Sequence, residues 1–169
     1  RKGNGIRVRN GETDEYDWRG YVPFDQLPFT FNPAAGSVSS ANNRTVDDDY
    51  PYFISQDFVV PYRIRRIREM LDEKEIFGTE DFKRMVTDQH SVLAELLIPY
   101  LVKLNTRKNE LSTFEKTILT AISGWNCNMD PTIIAPTVFE FFRICLRKNL
   151  LADELGDLFE QLYYMSSEY

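Results

Sequence analysis

The chain changes character at Pro61. Before it, glycine and proline recur in turn clusters (NG, NP, AAG, DDDYP), and no stretch sustains a helical or an alternating apolar period. After it the period is helical. Pro61 suits the first turn of a helix, and YRIRRIREMLDEKE follows with apolar residues at Ile64, Ile67, Met70 and Leu71. Thr79 to Leu104 reads as a second long helix, with Phe82, Met85, Val86, Leu93, Leu96, Leu97, Tyr100 and Leu104 on one stripe and a kink at Pro99. Ser112 to Glu115 (STFE) is a capping box for a third. Beyond the loop GWNCNMDP, two further helical patterns occupy PTVFEFFRICLRKNLL and ADELGDLFEQLYYM. The expectation is a mainly α chain: a short, irregular, β-containing arm over residues 1–60 that carries paired asparagines, then a helical lobe of four or five helices over residues 61–169.

A chain of 169 residues, 43% hydrophobic and 14% aromatic, can bury a real core. The arm has too little periodicity to do so alone, so it is expected to lie on a sheet contributed from elsewhere. The net charge of -6 argues against a nucleic-acid surface, which needs cations to neutralise phosphates. No apolar run reaches the ~18 residues of a membrane span, and RKGNGIRVRN lacks the apolar stretch of a signal peptide. Cys127 and Cys145 match no metal or redox spacing, and either a disulfide or two separate thiols is compatible with them. With one histidine, multi-His zinc sites are excluded and any Ser-His or Cys-His scheme would depend on His90.

The arm holds one chemically suggestive stretch, NPAAGSVSSANNR, from Asn32 to Arg44. GSVSSA reads as a short strand whose small side chains let other backbone or a ligand approach. An asparagine at its end can aim its amide NH2 at a fixed point, as an oxyanion hole requires; removing such a donor costs about 3 to 4 kcal/mol of transition-state stabilisation. The competing reading makes Asn42 and Asn43 turn residues, since asparagine tolerates left-handed backbone and closes local turns. Asn43-Arg44-Thr45 also fits the unspecific glycosylation pattern.

The arginines of the first helix separate by angle. At ~100° per residue Arg63 falls between Met70 and Ile67 inside the apolar stripe, Arg66 flanks it, and Arg65 and Arg68 point away. Arg63 also sits in the first turn, the wrong end of the helix dipole for a cation, and so calls for an anionic or carbonyl partner. Asp57 or one of Asp47 to Asp49 in a purely structural ion pair would serve as well as a site role. Elsewhere, His90 reads as a hydrogen-bonded core histidine, Asp47 to Asp49 as a solvated loop without calcium-loop spacing, and Trp18, Tyr21, Phe24, Phe29 and Phe31 as packing residues.

Taken in order, DWRGYVPFDQLPFTFNPAAGSVSSANNR, then YP, then PYRIRRIREML resembles the β-chain of the penicillin acylases and the related acyl-homoserine-lactone acylases. TDQHSVLAELLIPYLVKL, GWNCNMDP and FEFFRICLRKNLLADEL are similar as well, so the resemblance covers essentially the whole chain. It implies that the helical lobe belongs to a larger αββα N-terminal-nucleophile amidohydrolase, made as a precursor that cleaves itself to expose a serine. That serine attacks the amide of an acylated small molecule, with its own α-amino group as base directly or through water. The first paired asparagine, Asn42, maps onto the oxyanion donor and Arg63 onto the arginine that supports it; Asn43 keeps the turn reading.

With Arg1 at its start, the chain is expected to be an internal β-chain piece without the nucleophile, inert by itself; Ser39 and Ser40 are not assigned that role. Its expected partners are the acylated amide substrate, the α-chain and the remainder of the β-chain, with no nucleic acid and no membrane span. The resemblance also implies a periplasmic or otherwise extracytoplasmic setting, a cytoplasmic one remaining open. No cofactor is needed for the chemistry. A structural calcium is implied for some members, with Asp57 only a loose match and no ligands assigned. The alternative function is a non-catalytic helical protein-interaction module or a degenerate acylase.

Overall fold

The computed structural model describes residues 8–55, 57–104 and 111–160. It is mainly helical and divides into two units, Arg1–Ile64 and Arg65–Tyr169.

Up to Tyr62 the described residues of the first unit are loop, interrupted by single 3-10 turns at Asp14–Tyr16 and Phe24–Gln26. The expected strand GSVSSA is unpaired, and no strand forms among the described residues. A strand is defined by its partner, and none of the described residues of this unit offers one. The arm aromatics do not gather into a core either: Trp18, Tyr21, Phe24, Phe29 and Phe31 are all exposed, with only Phe29 and Phe31 stacked at 6.5 Å. Without a period there is no face on which to collect them.

Helix α1 spans Tyr62–Leu71. Its apolar residues are as the spacing predicts, with Ile64 and Met70 buried and Ile67 and Leu71 half-buried, but Arg63, expected inside the stripe, is exposed, and Arg66, expected at its flank, is half-buried because it reaches Asp88. Arg65 pairs with Glu69 one turn on, at 2.8 Å, and Arg66 grips Asp88 with two bonds of 2.9 and 2.7 Å.

The single helix expected over Thr79 to Leu104 is two: α2, Thr79–Val86, and α3, Val92–Leu104. Polar side chains between them terminate one helix and start the next. The Thr87 hydroxyl donates back to the carbonyls of Lys83 and Arg84, while Ser91 Oγ accepts from the Ala94 N–H at 3.2 Å. The break resets the helical register, so the predicted common stripe is wrong. Phe82, Val86, Leu96 and Tyr100 are exposed, and α3 instead buries Val92, Ala94 and Ile98. The helix continues through Pro99.

Helix α4, Thr113–Ser123, starts at the predicted capping box. Ser112 Oγ accepts from the Glu115 N–H at 3.3 Å and the Glu115 carboxylate accepts from the Ser112 N–H at 2.8 Å. Helix α5, Ala135–Leu155, has Pro136 in its first turn and merges most of the two patterns expected here. It ends at Gly156, whose φ of +50° is easy only for glycine. The end of the second pattern, residues 161–165, lies outside the described residues.

The core of the second unit is formed by Ala94 and Ile98 of α3, Ile122 of α4, Ala135 and Phe139 of α5, and Trp125 and Cys127 of the intervening loop. Trp125 packs on Phe139 at 5.7 Å and sends its indole N–H to Asn128 O at 2.8 Å. The loop is tied down by backbone bonds to the α2–α3 break, from Ser91 N to Cys127 O (2.8 Å) and from Met129 N to Gln89 O (3.0 Å). His90 and Asn128 form the antiparallel bridge between them.

Candidate functional site

The paired asparagines lie where the chain begins a long excursion and returns. The excursion closes when the Val59 N–H donates to Asn42 O at 2.9 Å. The chain then enters α1, and Arg63 in its first turn reaches back to the same neck. One guanidinium nitrogen, Nη2, donates to Ala41 O at 3.0 Å and to Asn42 Oδ1 at 2.8 Å. Two N–H groups on one nitrogen suit two acceptors. The cation at the unfavourable end of the helix thereby finds carbonyl oxygens. Among the described residues Arg63 has no ion pair with Asp57 or with Asp47 to Asp49.

This contact decides how the Asn42 amide is turned. A guanidinium only donates, so the atom facing Arg63 must be the amide oxygen, and the NH2 group, with its two donor hydrogens, occupies the other limb. No acceptor for that NH2 occurs among the described residues, and Asn42 is exposed. Its backbone is left-handed, with φ of +59°. Asparagine tolerates that region better than most residues. The left-handed turn conformation thus belongs to Asn42 and not, as expected, to Asn43, and Asn42 leaves its NH2 without a partner among the described residues.

Asn43 forms local hydrogen bonds. Its Oδ1 accepts from Ala41 N–H at 3.1 Å and its Nδ2 donates to Arg44 O at 2.8 Å. Neither this bracketing nor the Val59 clamp was legible beforehand. The clamp is a backbone N–H with no side-chain signature, whereas the adjacency of the two amides was the available clue to the bracket. Within the excursion, Arg44 pairs with Asp48 at 2.6 Å, Tyr50 meets Tyr52 edge-on at 5.8 Å, and Tyr50 OH donates to Gln26 O at 2.8 Å. Arg44, Asp48, Tyr50 and Tyr52 line an open cleft of about 440 Å³ together with Phe53 and Phe58, and Asp47 adds a second carboxylate beside the Arg44–Asp48 pair.

The other candidates have surroundings of their own. His90 is half-buried, with Nε2 3.3 Å from Glu95 Oε2. Cys127 is buried and Cys145 exposed, both as free thiols. Burial pushes the Cys127 thiol up, away from the reactive thiolate form. Asp57 turns onto Ser55, whose hydroxyl accepts from its N–H at 3.0 Å. Among the described residues no three carboxylate, imidazole or thiol side chains converge. No described helix is long and apolar enough to cross a membrane.

The arrangement of a left-handed asparagine, its amide turned by an arginine from the next helix, is accompanied by likeness along the chain. The sequence profile of the penicillin amidase family matches residues 1–168. The chain is 30% identical over 153 residues to penicillin acylase 2 proenzyme of Pseudomonas sp. (strain SE83), covering 88% of this chain and 19% of that protein. To acyl-homoserine lactone acylase QuiP it is 30% identical over 97 residues in Pseudomonas aeruginosa PAO1, covering 57% of this chain and 12% of that protein. In Pseudomonas fluorescens Pf0-1 it is 25% identical to QuiP over 169 residues, covering 92% of this chain and 20% of that protein. It thus spans about a fifth or less of the length of these curated relatives. Matched along nearly all of its residues, the chain belongs to the penicillin amidase family.

Proposed function

We propose that the protein to which this chain contributes hydrolyses the amide bond of an acylated small molecule, with Asn42 donating from its side-chain NH2 to the oxyanion and Arg63 holding that amide in place. The observation that carries the reading is the 2.8 Å contact between Arg63 Nη2 and Asn42 Oδ1, which commits the oxygen and turns the NH2 outward. The substrate classes are those in the relatives' names, penicillins and acyl-homoserine lactones, both of which join an acyl group to an amine through an amide.

The nucleophile is assigned to a serine outside these residues, freed when a precursor is cleaved. Its Oγ adds to the amide carbonyl carbon as its proton passes to the serine's own α-amino group. The carbonyl π electrons move onto oxygen, and the Asn42 N–H groups meet the charge there. The intermediate collapses with the proton returned to the departing amine, and water releases the acid by the same two steps. Asn42 contributes because its amide is already oriented when the charge appears, so no reorganisation is spent at that moment.

The direct test replaces Asn42 by glycine in the full-length, self-cleaved protein. Glycine accepts the +59° φ, so the substitution removes the amide without straining the turn. Turnover of a penicillin and of an acyl-homoserine lactone is expected to fall by about 10² to 10³ in kcat. Near-normal turnover by a folded, cleaved variant refutes the assignment.

A further inference from the structure

We infer that Asn43 is a positioning residue for the oxyanion donor: its side chain brackets Asn42 on both sides and holds the left-handed turn that aims the Asn42 amide. This rests on the oxyanion reading above. Asn43 Oδ1 takes the N–H of Ala41, the residue before Asn42, and Nδ2 gives to the carbonyl of Arg44, beyond it. Both ends of the amide face groups of the matching kind, an N–H for the oxygen and a C=O for the nitrogen. A single planar side chain therefore ties the Ser40–Ala41 peptide unit to the Arg44–Thr45 unit, on either side of the residue whose direction matters.

The remaining contacts show why a bracket is needed. Arg63 holds Ala41 O and Asn42 Oδ1, and Val59 N–H holds Asn42 O. These bonds pull on the neck from the side of α1 and the returning loop. None constrains the Ala41 N–H or the Arg44 C=O, between which the left-handed residue sits. Without the bracket the turn can relax towards ordinary backbone, swinging the amide, and a misplacement of about 1 Å in a catalytic donor can cost about 10²-fold in rate. Asn43 touches no reacting atom in this scheme and acts through Asn42.

The experiment is a double-mutant cycle in the full-length, self-cleaved protein, with kcat and KM measured for one amide substrate. Asn43→Ala is expected to lower kcat by up to about 10²-fold while KM changes little, since the ground-state substrate does not use the oxyanion donor. In the Asn42→Gly background the same substitution is expected to change kcat by less than about twofold, because the group it positions is gone. If Asn43→Ala costs as much in that background as in the wild type, Asn43 acts independently and the inference is overturned. It is overturned equally if Asn43→Ala leaves kcat intact while Asn42→Gly abolishes turnover, an outcome that leaves the oxyanion reading standing. If Asn42→Gly itself retains turnover, the oxyanion reading falls and takes this inference with it. Should Asn43→Ala fail to fold or to cleave itself, Asn43→Asp serves. It keeps the acceptor for Ala41 N–H and sets a carboxylate oxygen against Arg44 O in place of the donor, so a fall in kcat confined to the Asn42-containing protein supports the bracket, and no fall, or a fall persisting in Asn42→Gly, refutes it.

Discussion

Arg63 Nη2 lies 2.8 Å from Asn42 Oδ1 and 3.0 Å from Ala41 O, so one nitrogen of the first turn of α1 holds both the side chain and the backbone at the paired asparagines. Replacing Arg63 by alanine should release the amide to rotate and lower kcat by about 10- to 100-fold, with a smaller effect on KM. Lysine, a point donor on a flexible stem, should recover only part of the loss. Steady-state kinetics on the cleaved protein decide this. An alanine variant with unaltered kcat would show that the guanidinium does not set the amide.

Asparagine at position 42 answers to two demands, a left-handed backbone and a donor amide. Alanine meets neither, and glycine meets the first. Asn42→Ala should therefore be less stable than Asn42→Gly by about 1 kcal/mol, the order of cost of left-handed backbone for a residue with a Cβ. Both should lose turnover alike. Hydrogen exchange across residues 41–59 of the full-length protein would register the difference, and equal protection in the two variants would contradict a strained turn.

The Arg66 guanidinium holds the Asp88 carboxyl below the usual carboxylate range. Since the folded value lies below an unfolded one of ~3.9, the stabilisation from this pair is fully present above about pH 4 and disappears as pH falls through the lower folded value. Exchange protection around residues 66–72 and 88–91 should thus weaken on acidification below pH 4. In Asp88→Asn it should start lower and vary less over that window. A wild-type profile in Asp88→Asn would remove the pair from the acid response.

Phe139 is fully buried, between Trp125 at 5.7 Å and Phe142 at 6.4 Å. Phe139→Ala removes apolar surface and leaves a cavity among α3, α4 and α5, an expected loss of about 3 to 5 kcal/mol. That is a large share of the 5 to 15 kcal/mol typical of a domain, so the yield of protease-resistant protein should drop sharply. Undiminished resistance in limited proteolysis of the full-length variant would show that the core tolerates the cavity.

Ser112→Ala removes the oxygen that accepts the Glu115 N–H and the hydroxyl that, with the Ser112 N–H, holds the Glu115 carboxyl below its ordinary range. About 1 kcal/mol of helix stability should be lost, confined to the first turn of α4. Exchange at residues 113–116 should quicken while that of α5 stays as it was; uniform quickening through the unit would mean that the cap governs more than its own helix.

The helical half was legible because its signals are local. The apolar positions of α1 and the capping box of α4 depend on spacings within one helix, and they appear as read. The expectation of one helix from Thr79 to Leu104 failed because apolar spacing alone does not reveal a cap. Thr87 and Ser91 were visible as polar residues, but their roles depend on which backbone groups they turn towards. The strand at GSVSSA failed for a different reason, since pairing needs a second segment that the local pattern does not name.

At the asparagines the division is sharper. Periodicity set Arg63 inside the apolar stripe, where the structure leaves it exposed; its place in the first turn of a helix is what required an acceptor, because a cation there opposes the helix dipole. The sequence by itself thus determined the helical class, the two amides and the one arginine that had to find an oxygen. Only the tertiary structure decided which oxygens those were. The excursion had to close at Val59 before Arg63 could reach Asn42, and a contact between residues so far apart in the chain is set by closure of the loop, which no local pattern encodes.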